Sequence, residues 1–257
     1  MLIRVEAVPG GFVTVTEDGE EASRLTQQGE AVIGILSEKD ADSPQPAGCW
    51  SGVSYFITDM EALEDTFYLK EAYFRFHGLP LIIAREEGVC LREMTVADAA
   101  GIWKLHQDTQ ISRFLPIPAT SVAELEEKIA SYIQSIYAYY SCGIWVLEEE
   151  ETGEIIGRVG IEPHEAVEEH SEDSSEKPDI EDHRAGFYLG YMLRQDWRGQ
   201  HLMERMCCLV LADALDRLEL EQVYCKIAPE NTASLGLARK LGFVHVAGEL
   251  YQVSLSK

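Results

Sequence analysis

Residues 190–243, GYMLRQDWRGQHLMERMCCLVLADALDRLELEQVYCKIAPENTASLGLARKLGF, carry the pattern around which the whole chain is organised. An apolar strand at 190–194 leads into a turn with one glycine at 195–201 and then into an apolar helix over 202–217. A helix that begins directly after such a turn presents unpaired N–H groups and the positive end of its dipole. The pattern therefore predicts an anion site that fits a phosphate.

The second half of the stretch adds a strand at 223–228 and the segment PENTASLGLARKLGF at 229–243. Asn231, Ser234 and the tail Lys240-Leu-Gly-Phe243 resemble the GNAT superfamily of acetyl-CoA-dependent N-acetyltransferases. Within that superfamily the pattern is most similar to the ribosomal-protein-alanine acetyltransferase-like branch. In that family the glycine turn holds the cofactor pyrophosphate, and the downstream segment closes the cofactor groove.

The resemblance implies acetyl-CoA as co-substrate and assigns residues to it. The residues so assigned are Met192, Leu193, Arg194, Asp196, Trp197, Arg198, Gly199, Gln200, His201, Leu202 and Asn231. The turn is expected to bind through backbone N–H groups, with charge from Arg198 added to the diphosphate. Asn231 is expected to contact the pantetheine amides and also to cap the following helix. His201 stands where the family usually has a second Gly or Ala, and its side chain is expected to narrow the loop.

Amine acetylation needs a base for the amine and an acid for the leaving thiolate. The tyrosine that many relatives use as the acid is replaced here by Ala238, whereas the serine that the similar branch uses is present as Ser234. The glutamate that some relatives use as the base is replaced by Lys226. We therefore predict Ser234 and Glu162 as the catalytic residues, with Glu162 at the end of a strand and the start of an acidic segment. Proton removal through water is the alternative to Glu162.

The chain of 257 residues is 46% apolar, which is enough for a full core. No apolar run approaches the roughly 18–20 residues of a membrane-spanning helix. The N-terminus lacks the basic and apolar regions of a signal peptide. These features predict a cytoplasmic protein without a membrane partner.

The formal net charge of −24 argues against a nucleic-acid partner, which requires a basic surface. Such a charge could attract a cationic amine acceptor, or could simply keep an acidic protein soluble. The six cysteines contain no C-x-x-C pair, and no His/Cys spacing indicates a metal, so we predict reduced, buried thiols and no metal. A homodimer is left open.

Residues 1–80 are predicted to form a small βαβ-type α/β module of unknown role. Three strands are predicted at 12–16, 31–36 and 55–58, with helices at 17–28 and 60–76. This order favours a mostly parallel sheet covered by helices. The module has no glycine fingerprint for a dinucleotide, which counts against an active site there.

Residues 81–257 are predicted to form the second domain, and the family resemblance extends over roughly residues 85–257. The fold that it implies is a mixed, mostly antiparallel sheet flanked by helices. The segments predicted before residue 190 are a strand at 89–94, a helix at 99–107, a helix from 121 to about 140, and a hairpin of strands at 143–147 and 154–161. A Thr95–Asp98 capping box precedes the first helix. Residues 162–184 contain ten Asp and Glu residues and are predicted to be a surface insertion.

The sequence thus predicts an N-acetyltransferase that moves acetyl directly from acetyl-CoA to a primary amine. That amine is either a protein α-amine or a small molecule. The resemblance also implies that the Pro-containing loop at 114–118 and the long helix form one wall of the acceptor site. A non-catalytic acetyl-CoA-binding sensor or interaction protein is the alternative.

Overall fold

The computed structural model describes residues 1–36, 50–164 and 185–256, and the chain divides into two compact units, Met1–Leu81 and Ile82–Lys257. The elements of the first unit are β1 (Leu2–Val8), β2 (Gly11–Thr16), α1 (Gly19–Gln27), β3 (Ala31–Ile35), β4 (Tyr55–Ile57), a 3₁₀ turn (Met60–Glu64) and α2 (Thr66–Phe76). Its sheet has the order β1-β2-β3-β4, with β1 antiparallel to β2 and the other pairs parallel.

The sequence misses β1, which lies at the edge of this sheet. Only Ala7 of its seven residues is buried, so the strand lacks the apolar run by which β3 is recognised. The three predicted strands form the parallel part of the sheet. Asp59 caps the 3₁₀ turn by accepting a hydrogen bond from the Glu61 N–H at 2.6 Å.

The second unit contains one eight-stranded sheet with helices packed on it. Its elements are β5 (Ile82–Glu86), β6 (Val89–Arg92), a 3₁₀ turn (Val96–Asp98), α3 (Ala99–Leu105), α4 (Thr109–Ser112), α5 (Val122–Tyr132), a π-helical turn (Ile133–Tyr137), α6 (Ala138–Tyr140), β7 (Ile144–Glu149), β8 (Ile155–His164), β9 (Gly186–Leu193), a 3₁₀ turn (Gln195–Trp197), α7 (Leu202–Asp216), β10 (Gln222–Lys226), α8 (Thr232–Lys240), β11 (Val244–Ala247) and β12 (Leu250–Ser254). The strand order is β11-β12-β10-β9-β8-β7-β6-β5, and every neighbouring pair is antiparallel except β9 and β10. The predicted fold class is confirmed.

The single long helix predicted over residues 121–140 is interrupted by the π-helical turn. The Tyr137 side chain is fully buried there; its hydroxyl donates to the Ile144 carbonyl at 2.5 Å and accepts from the Met94 N–H at 3.1 Å. The turn also brings the rings of Tyr132 and Tyr137 edge to face, with centroids 5.2 Å apart. A π-helical turn breaks the period of 3.6 residues, which the sequence pattern alone does not reveal.

Two further features correct the predictions. Strand β8 continues through Glu162 to His164, so Glu162 lies within a strand and not in a loop. The hairpin of β11 and β12 at the C-terminus was not predicted, because several of its apolar side chains are exposed or partly exposed. The rest of the predicted acidic insertion, residues 165–184, lies outside the described residues. In the described part of the chain, no helix has the length and apolarity needed to span a bilayer.

The predicted capping box joins the start of α3 to the sheet. Asp98 accepts from the Thr95 N–H at 2.6 Å and binds both terminal nitrogens of Arg92 at 2.8 Å. Arg92 in turn reaches Glu148 on β7, with 2.8 Å between Nε and Oε2. Burial alone would raise the pKa of Asp98, but the hydrogen bonds from Arg92 and Thr95 outweigh it and hold that pKa below its usual range.

We expect Asp98→Asn to lower the free energy of unfolding by about 3 kcal/mol, because it leaves a buried guanidinium short of a partner. The exposed pair Arg85–Glu150 provides the control, and Glu150→Gln should cost under about 1 kcal/mol. Because the folded pKa of Asp98 is depressed, its contribution is present above the unfolded pKa of about 3.9 and is lost as pH falls through the folded pKa. The difference between wild type and Asp98→Asn in urea unfolding should therefore shrink below about pH 4; a constant difference would contradict the assignment.

Candidate active site

The two parallel strands of the large sheet, β9 and β10, meet at a single bridge between Tyr188 and Tyr224 and then separate. On the other side of β9 the ladder continues, and the Arg194 N–H donates to the Ile156 carbonyl at 2.8 Å. Since backbone groups alternate along a strand, those of Met192 and Arg194 face β8. The backbone groups of Tyr191 and Leu193 face the opening between β9 and β10.

Met192, Leu193 and Arg194, which were predicted to bind the cofactor at the end of β9, therefore differ in whether their backbone groups are free to do so. The Leu193 carbonyl accepts a hydrogen bond from Arg198 Nε at 2.9 Å, which leaves its N–H toward the opening. The Arg194 side chain forms ion pairs with Glu154 at 2.6 Å and Asp196 at 2.7 Å. Arg194 is thus occupied by protein groups at both its N–H and its side chain.

The glycine turn ends in two residues with left-handed backbone, Gly199 at φ +80° and His201 at φ +59°. The first helical bond of α7 runs from the Arg205 N–H to the His201 carbonyl, and no side chain caps the helix. The N–H groups at the start of this 15-residue helix are therefore open to an anion. The His201 ring points to solvent, with Nδ1 at 2.9 Å from Glu204, so it does not narrow the loop as predicted.

A groove of about 300 Å³ begins at this helix start and reaches the opening between the strands. The predicted residues that line it are Met192, Leu193, Trp197, Arg198, Gly199, His201, Leu202, Asn231 and Ser234. The predicted residues that do not line it are Arg194, Asp196, Gln200 and Glu162. Its volume lies at the lower end of ordinary small-molecule sites.

Arg198 links the turn to a neighbouring segment. Its guanidinium donates to Gln110 at 2.7 Å and lies 3.7 Å from the Asp108 carboxylate. Gln110, with Ile111, Phe114 and Leu115, forms the groove wall opposite the strand end. The predicted loop at 114–118 thus supplies part of this wall, whereas α4 was not predicted because a helix of four residues leaves no periodic pattern.

The start of α8 places three polar groups together on the groove. Asn231 caps the helix, with its side-chain oxygen accepting from the Ser234 N–H at 3.2 Å. The Tyr191 hydroxyl donates to the Ser234 carbonyl at 3.2 Å. Burial raises the pKa of Tyr191, and a hydrogen bond with Ser234 offsets part of that rise. Tyr191 therefore stays protonated at neutral pH, next to the predicted acid Ser234.

Sequence reasoning missed Tyr191, although it lies in the quoted strand. Its only signal is the alternation of β9, which places residue 191 on the same side of the strand as the opening. Lys240 and Glu204 were also missed; both line the groove, and their side chains are paired at 2.8 Å. This pair neutralises a carboxylate that would otherwise repel a phosphate at the helix start.

Glu162 lies one strand away from the opening, opposite Tyr188 in the register of β8 and β9. Its Oε2 accepts a hydrogen bond from the Tyr132 hydroxyl at 2.9 Å, and the same hydroxyl accepts from the Ile144 N–H at 2.8 Å. The π-helical turn follows directly after Tyr132. The carboxylate is therefore fixed in direction by the long helix, although it does not belong to the groove lining.

Cys225 on β10 is 2% exposed, and burial raises its pKa to about 12. It is thus a packed thiol and not a nucleophile at neutral pH. In residues 1–36, 50–164 and 185–256, no group of three or more His, Cys, Asp or Glu side chains is placed to hold a metal ion. Cys49, His170 and His183 lie outside the described residues.

Residues 89–244 match the family model described as an acetyltransferase (GNAT) domain. The chain belongs to the GNAT acetyltransferase family. Its co-substrate is acetyl-CoA and it acts as an N-acetyltransferase. The predicted family and co-substrate are thus confirmed. The groove fits this co-substrate, since it joins an uncapped helix start to a strand edge with unpaired backbone groups.

Solved structures with the same fold include two ribosomal-protein acetyltransferases. RimL, a ribosomal L7/L12 alpha-N-protein acetyltransferase in an apo crystal form, is 16% identical with a TM-score of 0.52, covering 69% of this chain and 96% of its own. A ribosomal-protein-S5-alanine acetyltransferase from Vibrio fischeri is 15% identical with a TM-score of 0.50, covering 66% and 95%. RimL in complex with coenzyme A is 16% identical with a TM-score of 0.50, covering 68% and 98%. At these identities the likeness shows the fold.

We expect Gly199→Val to weaken acetyl-CoA binding about tenfold or more, because a β-branched side chain at φ +80° shifts the turn and its N–H groups. Gly153→Val is the matched control: it has φ +69°, and like Gly199 it has open space around an added Cβ, but it lies in the β7–β8 hairpin. Calorimetric titration of acetyl-CoA should show loss of affinity for Gly199→Val alone. Equal affinities of both variants would exclude the turn from cofactor binding.

Proposed function

We propose that this enzyme transfers acetyl directly from acetyl-CoA to a primary amine at the opening between β9 and β10. The observation that supports this most directly is the continuity of the groove. It runs from the uncapped start of α7 to the strand edge where Tyr191 and Ser234 meet. No covalent enzyme intermediate is needed, since the nearby thiol of Cys225 is buried and protonated.

In this proposal the turn from Gly199 to Leu202 holds the pyrophosphate through backbone N–H groups. The free edge of β9 at Tyr191 and Leu193 pairs with the pantetheine amides, and Asn231 adds a polar contact while capping α8. Met192 and Trp197 contribute apolar wall. Arg194, Asp196 and Gln200 support the turn from outside the groove, where Arg194 pairs with Asp196.

The transfer step forms an N–C bond between the amine and the acetyl carbonyl carbon and breaks the C–S bond. One amine proton passes to a base, and the sulfur leaves as a thiol after protonation. We assign the acid to Ser234, with Tyr191 as a neighbouring donor that burial keeps protonated. A hydroxyl donor near the thioester also stabilises negative charge that develops during transfer.

We assign the base to Glu162. One carboxylate oxygen is held by the Tyr132 hydroxyl at 2.9 Å, so that the second oxygen is available to an ammonium or to a bridging water. Proton removal through a water molecule remains the alternative route. The first route draws the amine to the face of the sheet that carries Glu162.

The acceptor class that we propose is a primary amine, either a protein α-amine or a small molecule. The net charge of −24 supports a cationic acceptor and no nucleic-acid partner. A cytoplasmic location, the absence of a membrane partner and a homodimer stay predictions. The alternative function is an acetyl-CoA-binding sensor without turnover, and experiment can distinguish it from the enzyme.

Two measurements test this function. Acetyl-CoA titrated by calorimetry should bind. An absence of binding would exclude both the enzyme hypothesis and the sensor hypothesis. Release of free thiol is then followed with a library of primary amines. Thiol release that depends on an amine identifies the enzyme, whereas binding without release from any amine identifies the sensor.

We expect Ser234→Ala to lower turnover about 100-fold with little change in acetyl-CoA affinity, because an acid acts in the transition state and not in cofactor binding. Thr232→Ala is the control, since Thr232 begins the same helix but does not line the groove. The measurement is steady-state kinetics with calorimetry on both variants. Unchanged turnover in Ser234→Ala would remove this serine from the mechanism.

We expect Glu162→Gln to lower kcat/KM about 100-fold, since an amide keeps the size of the side chain but cannot take a proton. The exposed hairpin residue Glu151 supplies the control Glu151→Gln, which should behave as wild type. A rise in pH should restore part of the activity of Glu162→Gln, because more of the free amine is then present. A variant with wild-type kcat/KM at neutral pH would leave proton removal to water.

A further inference from the structure

Arg158 lies in the middle of β8, and its guanidinium has no carboxylate within 4.0 Å among the described residues. Its Nε is shut off from solvent and makes no hydrogen bond in this part of the chain. Burial lowers the pKa of the group. The residue as a whole is partly exposed, so an anion from outside the chain can reach the guanidinium and pair with it.

Arg158 shares one face of the sheet with residues that lead from the groove toward Glu162. The residues that share its face are Gly160 and Glu162 on β8 and Tyr188, Gly190 and Met192 on β9. A Cβ added to Gly160 would collide with the Gly143 carbonyl, whereas one added to Gly190 would meet only the tip of Ile144, at 3.1 Å. A ligand that spans from Arg158 to Glu162 therefore has room on the β9 side, over Gly190. Met192, directly opposite Arg158, also lines the groove.

Opposite charges stand at the two ends of this row of residues. Glu162 lies two strand positions beyond Gly160 and is bonded to Tyr132; it forms no ion pair with Arg158 within 4.0 Å, although its charge opposes the fall in the pKa of Arg158 that burial causes. Arg158 lies two positions before Gly160. A ligand that spans the row would therefore meet a carboxylate at one end and a guanidinium at the other.

His106 supplies a second buried nitrogen without a partner. Its Nδ1 lies 2.9 Å from the Leu115 carbonyl, which can only accept, so the proton is on Nδ1. Nε2 is then a bare acceptor; it is buried and makes no hydrogen bond to the described residues. Burial lowers the pKa of His106, the bond to Leu115 opposes this, and the charge of Arg158 lowers it further. Arg158 and His106, which are close enough for the charge of Arg158 to act on the ring, thus offer a donor and an acceptor, which suits a polar ligand.

We infer that the acceptor is a small amine that carries a carboxylate, such as an amino acid, with the carboxylate bound by Arg158 and the amine directed toward Glu162. This inference rests on the proposed function and names the substrate class of the same site. The transfer is unchanged: the amine nitrogen bonds to the acetyl carbon, its proton passes to Glu162, and the cofactor leaves as a thiol. Arg158 would then determine specificity, since it binds a group away from the reacting atoms.

The first test is independent of turnover. The standard α-amino acids, β-alanine and γ-aminobutyrate, each paired with its amide, are titrated by calorimetry into the enzyme with and without coenzyme A. At least one carboxylate should bind about 10- to 100-fold more tightly than its amide, as expected for a charge-assisted hydrogen bond. Arg158→Met should abolish this preference, whereas Arg85→Met, which removes an exposed arginine, should retain it. Wild type that binds no carboxylate better than its amide would overturn the inference.

The second test separates this inference from the proposed function. In thiol-release kinetics Arg158→Met should raise KM for the carboxylate-bearing amine with kcat largely kept, while acetyl-CoA affinity stays as in wild type. An equal loss of kcat for every amine would overturn a specificity role and place the guanidinium at the reacting carbonyl. If wild type acetylates amines but prefers their amides, the proposed function stands and this inference fails. If coenzyme A itself does not bind, the proposed function fails, and the titrations without coenzyme A still decide the role of Arg158.

Discussion

The structure of the catalytic unit depends on the way in which two parallel strands are held together at one point only. β9 and β10 share a single bridge at Tyr188 and Tyr224, while both strands are fully paired on their outer sides. Backbone groups that would normally complete a ladder are therefore left without a strand partner inside a sheet. Such groups are costly when buried, so the opening has to take up water or a ligand with amides of its own. The glycine turn and α7 continue directly from the open edge, which places an anion site at one end of the same groove.

Much of this unit could be predicted from the sequence, because its strong elements are also its most periodic ones. Helix α7 and the strands β7 to β10 were found within a few residues, and the Thr95–Asp98 box has the expected geometry. The elements that were missed lack such a signal. β1 has one buried residue and β11 has none, α4 has only four residues, and the π-helical turn changes the helical period without a change in composition.

The site residues that are close together in sequence were predictable, whereas those brought together only by strand pairing were not. Gly199, Asn231 and Ser234 belong to one continuous pattern, and the groove contains all three. Tyr191 and Arg158 can be recognised as site residues only from the strand register. The register decides which backbone groups face the opening and which side chains share a face of the sheet. His201 shows the converse: its side chain was expected to narrow the loop, but the residue has a left-handed backbone and its ring lies beside Glu204.

The distribution of charge separates attraction to the protein from recognition at the site. A net charge of −24 acts over the whole surface and favours any cation, with an influence that salt screens within about 10 Å. The guanidinium of Arg158 acts only at contact, at a partly buried position where salt screens a charge less than at the surface. A zwitterion satisfies both conditions, since its ammonium group suits the acidic surface and Glu162 while its carboxylate suits Arg158. A simple cation satisfies only the first and leaves the Arg158 guanidinium without a carboxylate partner.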